Sequence, residues 1–238
     1  MTLDIFTLRD EVVGEYRDYV TSFVHVREPR LKAFVEEELS RGRLWPDAIL
    51  ELNPAFARGP TLAELVREGV ILEETARFFG RDLRLFRHQE EAIRLAAAGR
   101  SFVVSTGTGS GKSLTYLVPI VDRAFRNGIE KPGVVGLCVY PMNALVGSQL
   151  EALTEFKKRN WPDCELRFKR YTGQDKDVED RNETINNPPH ILLTNYVMLE
   201  LALVRPAERS LLQQLLRQLA VLAVDEIHVY RGRQGADV

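Results

Sequence analysis

Short apolar runs alternate with amphipathic stretches over most of the chain after residue 85. Strands give short apolar or alternating runs, whereas helices repeat apolar positions at intervals of three and four residues. Five runs are candidate strands: 101–105, 134–140, 165–171, 190–194 and 219–224. Strands separated by helices predict βαβ units and a mostly parallel sheet. We therefore predict an α/β domain over residues 81–238.

The first 80 residues show a different pattern. Apolar positions recur at helical intervals within 8–24 and 31–39, among many charged residues. Prolines and glycines interrupt 41–60, so we expect a loop-rich connection there before short helices resume at Thr61. No catalytic spacing is evident in this part of the chain. We expect residues 1–80 to form a helical accessory region.

A glycine-rich segment follows the first candidate strand and leads into an apolar helix. The residues predicted to bind nucleotide phosphates are Thr106, Gly107, Thr108, Gly109, Ser110, Gly111, Lys112 and Ser113. Glycines let successive backbone N–H groups converge on phosphate oxygens, and the helix N-terminus favours negative charge. We expect Lys112 to reach the β- and γ-phosphates and the Ser113 hydroxyl to bind Mg²⁺. A glycine-rich turn without a ligand explains this order of residues less well.

Two adjacent carboxylates, Asp225 and Glu226, end the last candidate strand. Parallel α/β sheets bind ligands at the carboxyl ends of their strands, where the phosphate loop also lies. We predict that Asp225 binds Mg²⁺ and that Glu226 orients and deprotonates the water that attacks the γ-phosphate. Taken alone, the pair would fit an ordinary strand end. The phosphate loop with Lys112 makes ATP hydrolysis the better interpretation.

The composition is that of an ordinary globular protein, with 45% hydrophobic and 28% charged residues. The formal net charge of −2 excludes a broad basic surface, so any binding of nucleic acid must be local. The two cysteines have no metal-binding spacing, and no apolar run has the length of a membrane span. We expect a cytoplasmic, nucleoid-associated protein that does not contact membranes.

The segment 225–228 reads Asp-Glu-Ile-His and resembles the DEAH-type motif II of superfamily 2 helicases. The phosphate loop resembles motif I of these helicases, which commonly have a small residue other than Gly at the position of Thr106. Phe-Arg-His-Gln at 86–89 is similar to their adenine-reading motif, which implies that the Gln89 amide pairs with the adenine of ATP. His228 could link ATP to nucleic acid or simply end the strand, and both interpretations stay open.

Shorter stretches at 140–149, 171–173 and 193–195 are similar to motifs Ia and Ib of the same superfamily. The resemblance implies contacts to the backbone of one nucleic-acid strand from seven residues: Pro141, Asn143, Gln149, Thr172, Gly173, Thr194 and Asn195. Asn143 stands where many members have Arg, so the resemblance does not imply an arginine-to-phosphate contact at this position.

The segment 228–235 resembles a narrower group, the bacterial and fungal repair helicases of the mitomycin repair factor A and RecQ4-like group. The resemblance implies a RecA-like P-loop NTPase fold and an ATP-dependent helicase or translocase acting on single-stranded or partly duplex DNA, in repair or genome defence. In this family a second RecA-like domain completes the ATP site. We therefore expect residues 1–238 to be a motor half with little activity alone. An RNA helicase and a non-unwinding, ATP-switched module of a larger complex are the alternatives.

Overall fold

The chain divides into two units, Met1–Ala55 and Phe56–Val238. The computed structural model describes residues 4–41, 56–107, 109–131, 133–172, 187–205, 213, 216–230 and 232. The smaller unit contains two helices, α1 (Ile5–Ser22) and α2 (Pro29–Ser40). The side chain of Asp4 caps α1 by accepting a hydrogen bond from the N–H of Phe6. These helices confirm the helical pattern predicted for the start of the chain.

The larger unit begins with short elements and continues as alternating helices and strands. Its elements are β1 (Arg58–Thr61), α3 (Leu62–Arg67), α4 (Glu73–Phe79), β2 (Arg84–Phe86), α5 (Arg87–Ala97), α6 (Ser113–Asn127), β3 (Gly136–Tyr140), α7 (Asn143–Asn160), β4 (Phe168–Tyr171), β5 (Ile191–Asn195), α8 (Tyr196–Val204) and β6 (Val221–Val224). Short 3-10 helices lie at Leu216–Gln218 and Ile227–Val229. Among the helices of the described ranges, none is long and apolar enough to cross a bilayer.

The main sheet has the strand order β4-β5-β3-β6, and all its neighbouring strands are parallel. The register pairs Tyr140 with Asn195, Val139 with Val224, and Tyr171 with Thr194, so the carboxyl ends of all four strands share one edge. From β3 the chain goes to β4 and β5 on one side and later to β6 on the other. Ligands of α/β sheets bind at the carboxyl edge near such a reversal.

Alternate residues of β3 point into two separate cores. Cys138 and Tyr140 pack with α3 to α7, whereas Leu137 and Val139 pack with residues of α8 on the opposite face. A sheet that is covered on both faces explains why every residue of β3 and β5 is buried. A Cβ at Gly136 would collide with Ile120 of α6, so this strand can approach the helix closely only with glycine here.

Residues 56–80 belong to the larger unit. Leu62, Leu65 and Phe78 are fully buried in the core that also contains apolar residues of α6. The structure therefore divides the chain after Ala55 and not at residue 80, where our predicted accessory region ends. The helical spacing of this segment shows an apolar face but does not reveal which core buries it.

The predicted strand at 101–105 is not a strand in the structure. Val103 is 84% exposed, and none of the described strands pairs with this segment. A cavity of about 650 Å³ lies between residues 100–106 and β6. The prediction was wrong because an apolar run indicates a buried segment but cannot supply the neighbouring strand that would complete a ladder. The other four predicted strands overlap observed strands.

Candidate functional site

The phosphate loop enters α6 through two glycines in the left-handed region, Gly109 with φ 76° and Gly111 with φ 71°. Residues other than glycine rarely adopt such angles, so the turn depends on these two positions. The Nζ of Lys112 donates hydrogen bonds to the carbonyls of Thr106, at 3.2 Å, and Gly107, at 3.5 Å. These neutral carbonyls are partners that a phosphate could replace. Thr108, which we also predict to bind phosphate, lies outside the described residues.

The adenine-reading motif contacts the main chain of the phosphate loop. Gln89 is 2% exposed, and its Oε1 accepts a hydrogen bond from the N–H of Phe86 at 2.8 Å. Its Nε2 donates to the carbonyl of Gly111 at 2.9 Å, and the Nε2 of His88 lies 3.1 Å from the carbonyl of Ser110. Both ends of the Gln89 amide therefore have protein partners. Pairing with adenine stays a prediction, and it requires at least one of these bonds to exchange.

Phe56 is a candidate base-binding residue that the sequence pattern did not reveal. Its ring centroid lies 5.4 Å from that of Phe86 and 5.5 Å from that of His88, and the residue is 36% exposed. An exposed aromatic ring beside the adenine-reading motif offers a face for stacking. No spacing connects it to that motif along the chain, because a helix pair and a loop separate them.

The acidic motif begins where β6 ends. The N–H of Asp225 donates to the carbonyl of Val139 at 2.9 Å, which continues the pairing with β3. The Asp225 Oδ1 accepts from the N–H of Glu226 at 2.9 Å. Glu226 has φ 49°, and it is the only residue other than glycine with a positive φ in the described part of the chain. Strained backbone of this kind is frequent at functional sites. The Glu226 Oε2 lies 3.3 Å from the exposed His228 ring.

Tyr116 connects the helix after the phosphate loop to the acidic motif. Its hydroxyl donates to the Asp225 Oδ2 at 3.0 Å and lies 3.4 Å from the hydroxyl of Tyr140 at the end of β3. Burial, and then the negative charge of Asp225, raises the pKa of Tyr116 far above its ordinary value. The hydroxyl therefore stays protonated and remains a donor. Sequence reasoning missed this residue because its spacing is that of an ordinary core position on α6.

One cavity joins the predicted catalytic residues. Thr106, Lys112, Asp225 and Glu226 line the space of about 650 Å³ beside β6, a volume in the usual range of ligand pockets. Mg²⁺ is usually bound through one or two protein groups together with phosphate oxygens and water. One carboxylate and the Ser113 hydroxyl fit that requirement. The described residues contain no group of three or more His, Cys, Asp or Glu side chains that could bind a metal without a nucleotide.

The residues predicted to contact nucleic acid come together at the other end of the same sheet edge. Thr172, Thr194 and Asn195 follow β4 or end β5, but they are only 3%, 2% and 8% exposed. The Thr194 hydroxyl donates to the carbonyl of Tyr171 at 2.7 Å. The Asn195 amide donates to the Asn143 Oδ1 and its oxygen caps α8. All three side chains are therefore turned away from solvent, and those of Thr194 and Asn195 connect the ends of β4 and β5 to each other and to the start of α7.

Three other predicted contact residues are more accessible. Pro141, Asn143 and Gln149 are half-buried, and α7 begins at Asn143 without a side-chain cap. Uncapped N–H groups at a helix start can bind a phosphate. The Gln149 Oε1 is buried and has no hydrogen-bond partner among the described residues. Gly173, the remaining predicted contact, lies outside the described residues.

The parallel sheet, the phosphate loop and the acidic strand end define a RecA-like P-loop NTPase domain. The fold is similar to that of the DUF1998 helicase MrfA bound to DNA and AMPPNP, with a TM-score of 0.63 and 24% identity over 82% of this chain and 26% of that one. Residues 86–238 match the DEAD/DEAH box helicase family, and the chain belongs to this family.

Two relatives extend the comparison. The Druantia protein DruE of Escherichia coli (strain UMEA 4076-1) is 24% identical over 93% of this chain. The ATP-dependent helicase hrq1 of Schizosaccharomyces pombe is 30% identical over 65% of this chain. The chain spans only 18% of the first relative and 14% of the second. The family match over residues 86–238 confirms the superfamily 2 resemblance of the sequence.

Proposed function

We propose that this chain is the nucleotide-binding motor domain of an ATP-dependent DNA helicase or translocase. The observation that carries the proposal is the shared cavity of Lys112, Asp225 and Glu226 at the carboxyl edge of a parallel sheet. Membership of the DEAD/DEAH box family supports it. The similar MrfA structure is described as bound to DNA and AMPPNP, and this description favours DNA as the polymer.

ATP hydrolysis divides among the residues of the cavity. Lys112 would exchange its carbonyl partners for the β- and γ-phosphates of ATP, because a charged acceptor forms the stronger hydrogen bond. Ser113 and Asp225 would hold Mg²⁺, which neutralises charge on the phosphates when bound. Glu226 would orient the attacking water and accept its proton. The two carboxylates have different partners, His228 for Glu226 and Tyr116 for Asp225, and we assign them different roles.

Nucleic acid would bind along the ends of β3, β4 and β5. The uncapped start of α7 offers N–H groups to one phosphate, and Asn143 lies beside it. The buried Thr172, Thr194 and Asn195 would act by fixing the main chain that meets the strand. Contacts of this kind read the phosphate backbone and carry no sequence information.

Adenine recognition would involve Gln89 and Phe56. The Gln89 amide can present a donor and an acceptor to the adenine edge if it releases one protein partner. The Phe56 ring lies close to the same motif and offers a stacking surface. A nucleotide with its phosphates in the loop would then contact the chain at both ends.

The whole protein would act through two motor halves. A second RecA-like domain of the same protein would close over the nucleotide and grip the same DNA strand. Catalytic groups supplied across such a cleft stabilise the charge of the transition state, so the present half alone should hydrolyse ATP slowly. We place this activity in the cytoplasm, at the nucleoid, in repair or genome defence.

Strand displacement by the intact protein tests the proposal. We expect ATP-dependent separation of a DNA duplex with a single-stranded overhang, and little separation of the matched RNA duplex. Preference for the RNA duplex would support the RNA helicase alternative. DNA-stimulated ATP hydrolysis without displacement would indicate a translocase or a switch module, and the absence of any ATP-dependent response to nucleic acid would contradict the proposal.

A further inference from the structure

We propose that Tyr116 is a positioning residue for the magnesium site, whose hydroxyl holds the Asp225 carboxylate in the orientation that binds Mg²⁺. The inference rests on the proposed function, because it assigns Mg²⁺ to Ser113 and Asp225. Tyr116 lines the same cavity, but it would act through Asp225 and not by binding the nucleotide or the metal itself. It lies on α6, one turn after Ser113, and therefore connects the two elements that carry the predicted ligands.

The Asp225 carboxylate accepts two hydrogen bonds, one at each oxygen. Its Oδ1 accepts from the N–H of Glu226 at 2.9 Å and its Oδ2 accepts from the Tyr116 hydroxyl at 3.0 Å. The first bond comes from a neighbouring main-chain group and leaves the carboxylate plane adjustable. The second comes from a rigid aromatic ring on another element. The Tyr116 bond is therefore the one that fixes the carboxylate relative to the phosphate loop.

The groups around the Tyr116 hydroxyl restrict its position. It lies 3.4 Å from the hydroxyl of Tyr140, which is fully buried at the end of β3. Ser113 lies one helical turn before Tyr116 on α6, so the two side chains share a side of the helix. A hydroxyl held between α6, β3 and β6 has little freedom to turn away. Its place next to both predicted ligands is what an orienting group requires.

Groups that orient metal ligands indicate how much Mg²⁺ affinity the loss of the Tyr116 hydroxyl should cost. Removing a hydrogen bond to a metal-binding carboxylate typically weakens metal affinity by about 10- to 100-fold. Tyr116→Phe removes the hydroxyl and retains the ring, so the packing of α6 changes little. We expect about a tenfold higher Mg²⁺ requirement for tight nucleotide binding. Affinity without Mg²⁺ depends on the loop and Lys112, and we expect it to stay unchanged.

Tyr230→Phe is the matched control. Tyr230 is 9% exposed, and its hydroxyl has no hydrogen-bond partner among the described residues. Burial, and then the charge of Asp225, raises the pKa of Tyr230 to about 12. Tyr230 is therefore close enough to Asp225 to be affected by its charge. The two variants make the same chemical change near Asp225. Only Tyr116→Phe removes a hydrogen bond to it.

The experiment is a fluorescence titration of the intact protein with a mant-labelled ATP analogue, first in EDTA and then across a Mg²⁺ series. Tyr116→Phe should match the parent in EDTA and need about ten times more Mg²⁺ for half-maximal tightening, whereas Tyr230→Phe should match the parent throughout. Tyr140→Phe, which removes only the neighbouring hydroxyl, should shift the Mg²⁺ requirement in the same direction by less. This second variant tests the inference if Tyr116→Phe does not fold.

Two results would overturn the inference while leaving the proposed function intact. One is an unchanged Mg²⁺ requirement in both Tyr116→Phe and Tyr140→Phe. The other is an equal loss of affinity with and without Mg²⁺, which would indicate that Tyr116 only supports the fold. A parent protein that binds no nucleotide in either condition would contradict the proposed function and the inference together.

Discussion

The two ends of the sheet edge are built from different kinds of side chain. The nucleotide end consists of three charged residues, Lys112, Asp225 and Glu226. The amide end consists of four neutral residues, Asn143, Thr172, Thr194 and Asn195. Among the described residues, Lys112 is paired only with neutral carbonyls that a phosphate can replace, whereas Thr194 and Asn195 hydrogen-bond inside the protein and are buried. Lys112 is thus positioned to exchange its partners for a ligand, while the buried side chains of Thr194 and Asn195 fix the main chain.

The largest expected effect is at Glu226, because a base is needed only in the hydrolysis step. Glu226→Gln should lower ATP turnover of the intact protein by at least about 100-fold and leave ATP affinity within a few-fold. An amide can still hydrogen-bond the attacking water but cannot take its proton. Steady-state hydrolysis and equilibrium binding of the same preparation separate the two effects. ATP turnover at the parent rate in Glu226→Gln would show that Glu226 is not the catalytic base.

Lys112→Ala should reduce nucleotide affinity itself. A charge-assisted hydrogen bond to phosphate contributes about 1.5–3 kcal/mol, which corresponds to roughly 10- to 100-fold weaker binding. Calorimetry with ATP and Mg²⁺ measures the loss directly. Lys131→Ala, on the loop after α6 and far from the phosphate loop along the chain, is a charge-matched control that should bind like the parent. Parent-like affinity in Lys112→Ala would show that the phosphates bind elsewhere.

The grouping of residues at the nucleotide end was easier to predict from the sequence than the grouping at the amide end. Glycine, lysine and acidic residues carry their chemistry in fixed local spacings, so Lys112, Asp225 and Glu226 could be proposed as one site without a structure, and the structure adds that they line one cavity. Their binding of ATP stays a prediction. The bond between Asn195 and Asn143 joins residues that are far apart in the chain. Whether a threonine hydroxyl faces solvent or a neighbouring carbonyl depends on packing that no short motif contains.

The fold shows the same limit. Apolar runs predicted β3 and β5 because buried parallel strands carry apolar residues on both faces. The run at 101–105 is equally apolar, yet it has no described strand beside it. The partner of a strand is a property of topology. For the same reason the burial of Leu62, Leu65 and Phe78 against α6, and the bond from Tyr116 to Asp225, became visible only in the structure.

Gln89→Ala sharpens the comparison at the base of the nucleotide. If Gln89 reads adenine, the preference of the protein for ATP over GTP should fall by several-fold, since one or two neutral hydrogen bonds are worth about 1 kcal/mol each. Competition binding with the two nucleotides measures the preference. An equal loss of affinity for ATP and GTP would instead assign Gln89 only to the support of Gly111.

The smallest effects are expected at the amide end. Asn143→Asp places a negative charge at the start of α7 and should weaken binding of single-stranded DNA several-fold, whereas Thr194→Val should change it by less than about threefold. Affinity should fall with rising salt and vary little between two unrelated sequences. Fluorescence anisotropy measures the affinity of the parent and of both variants across a salt series and on the two sequences. A marked sequence preference would contradict the view that this end presents main chain to phosphates.

Steady-state ATP hydrolysis by the intact protein, with and without single-stranded DNA, tests the central claim that one sheet edge joins the two functions. We predict that DNA stimulates hydrolysis in the parent, that Lys112→Ala and Glu226→Gln abolish hydrolysis in both conditions, and that Asn143→Asp raises the DNA concentration needed for half-maximal stimulation while leaving the rate without DNA unchanged. Hydrolysis that does not respond to DNA, or that persists in both catalytic variants, would contradict the account.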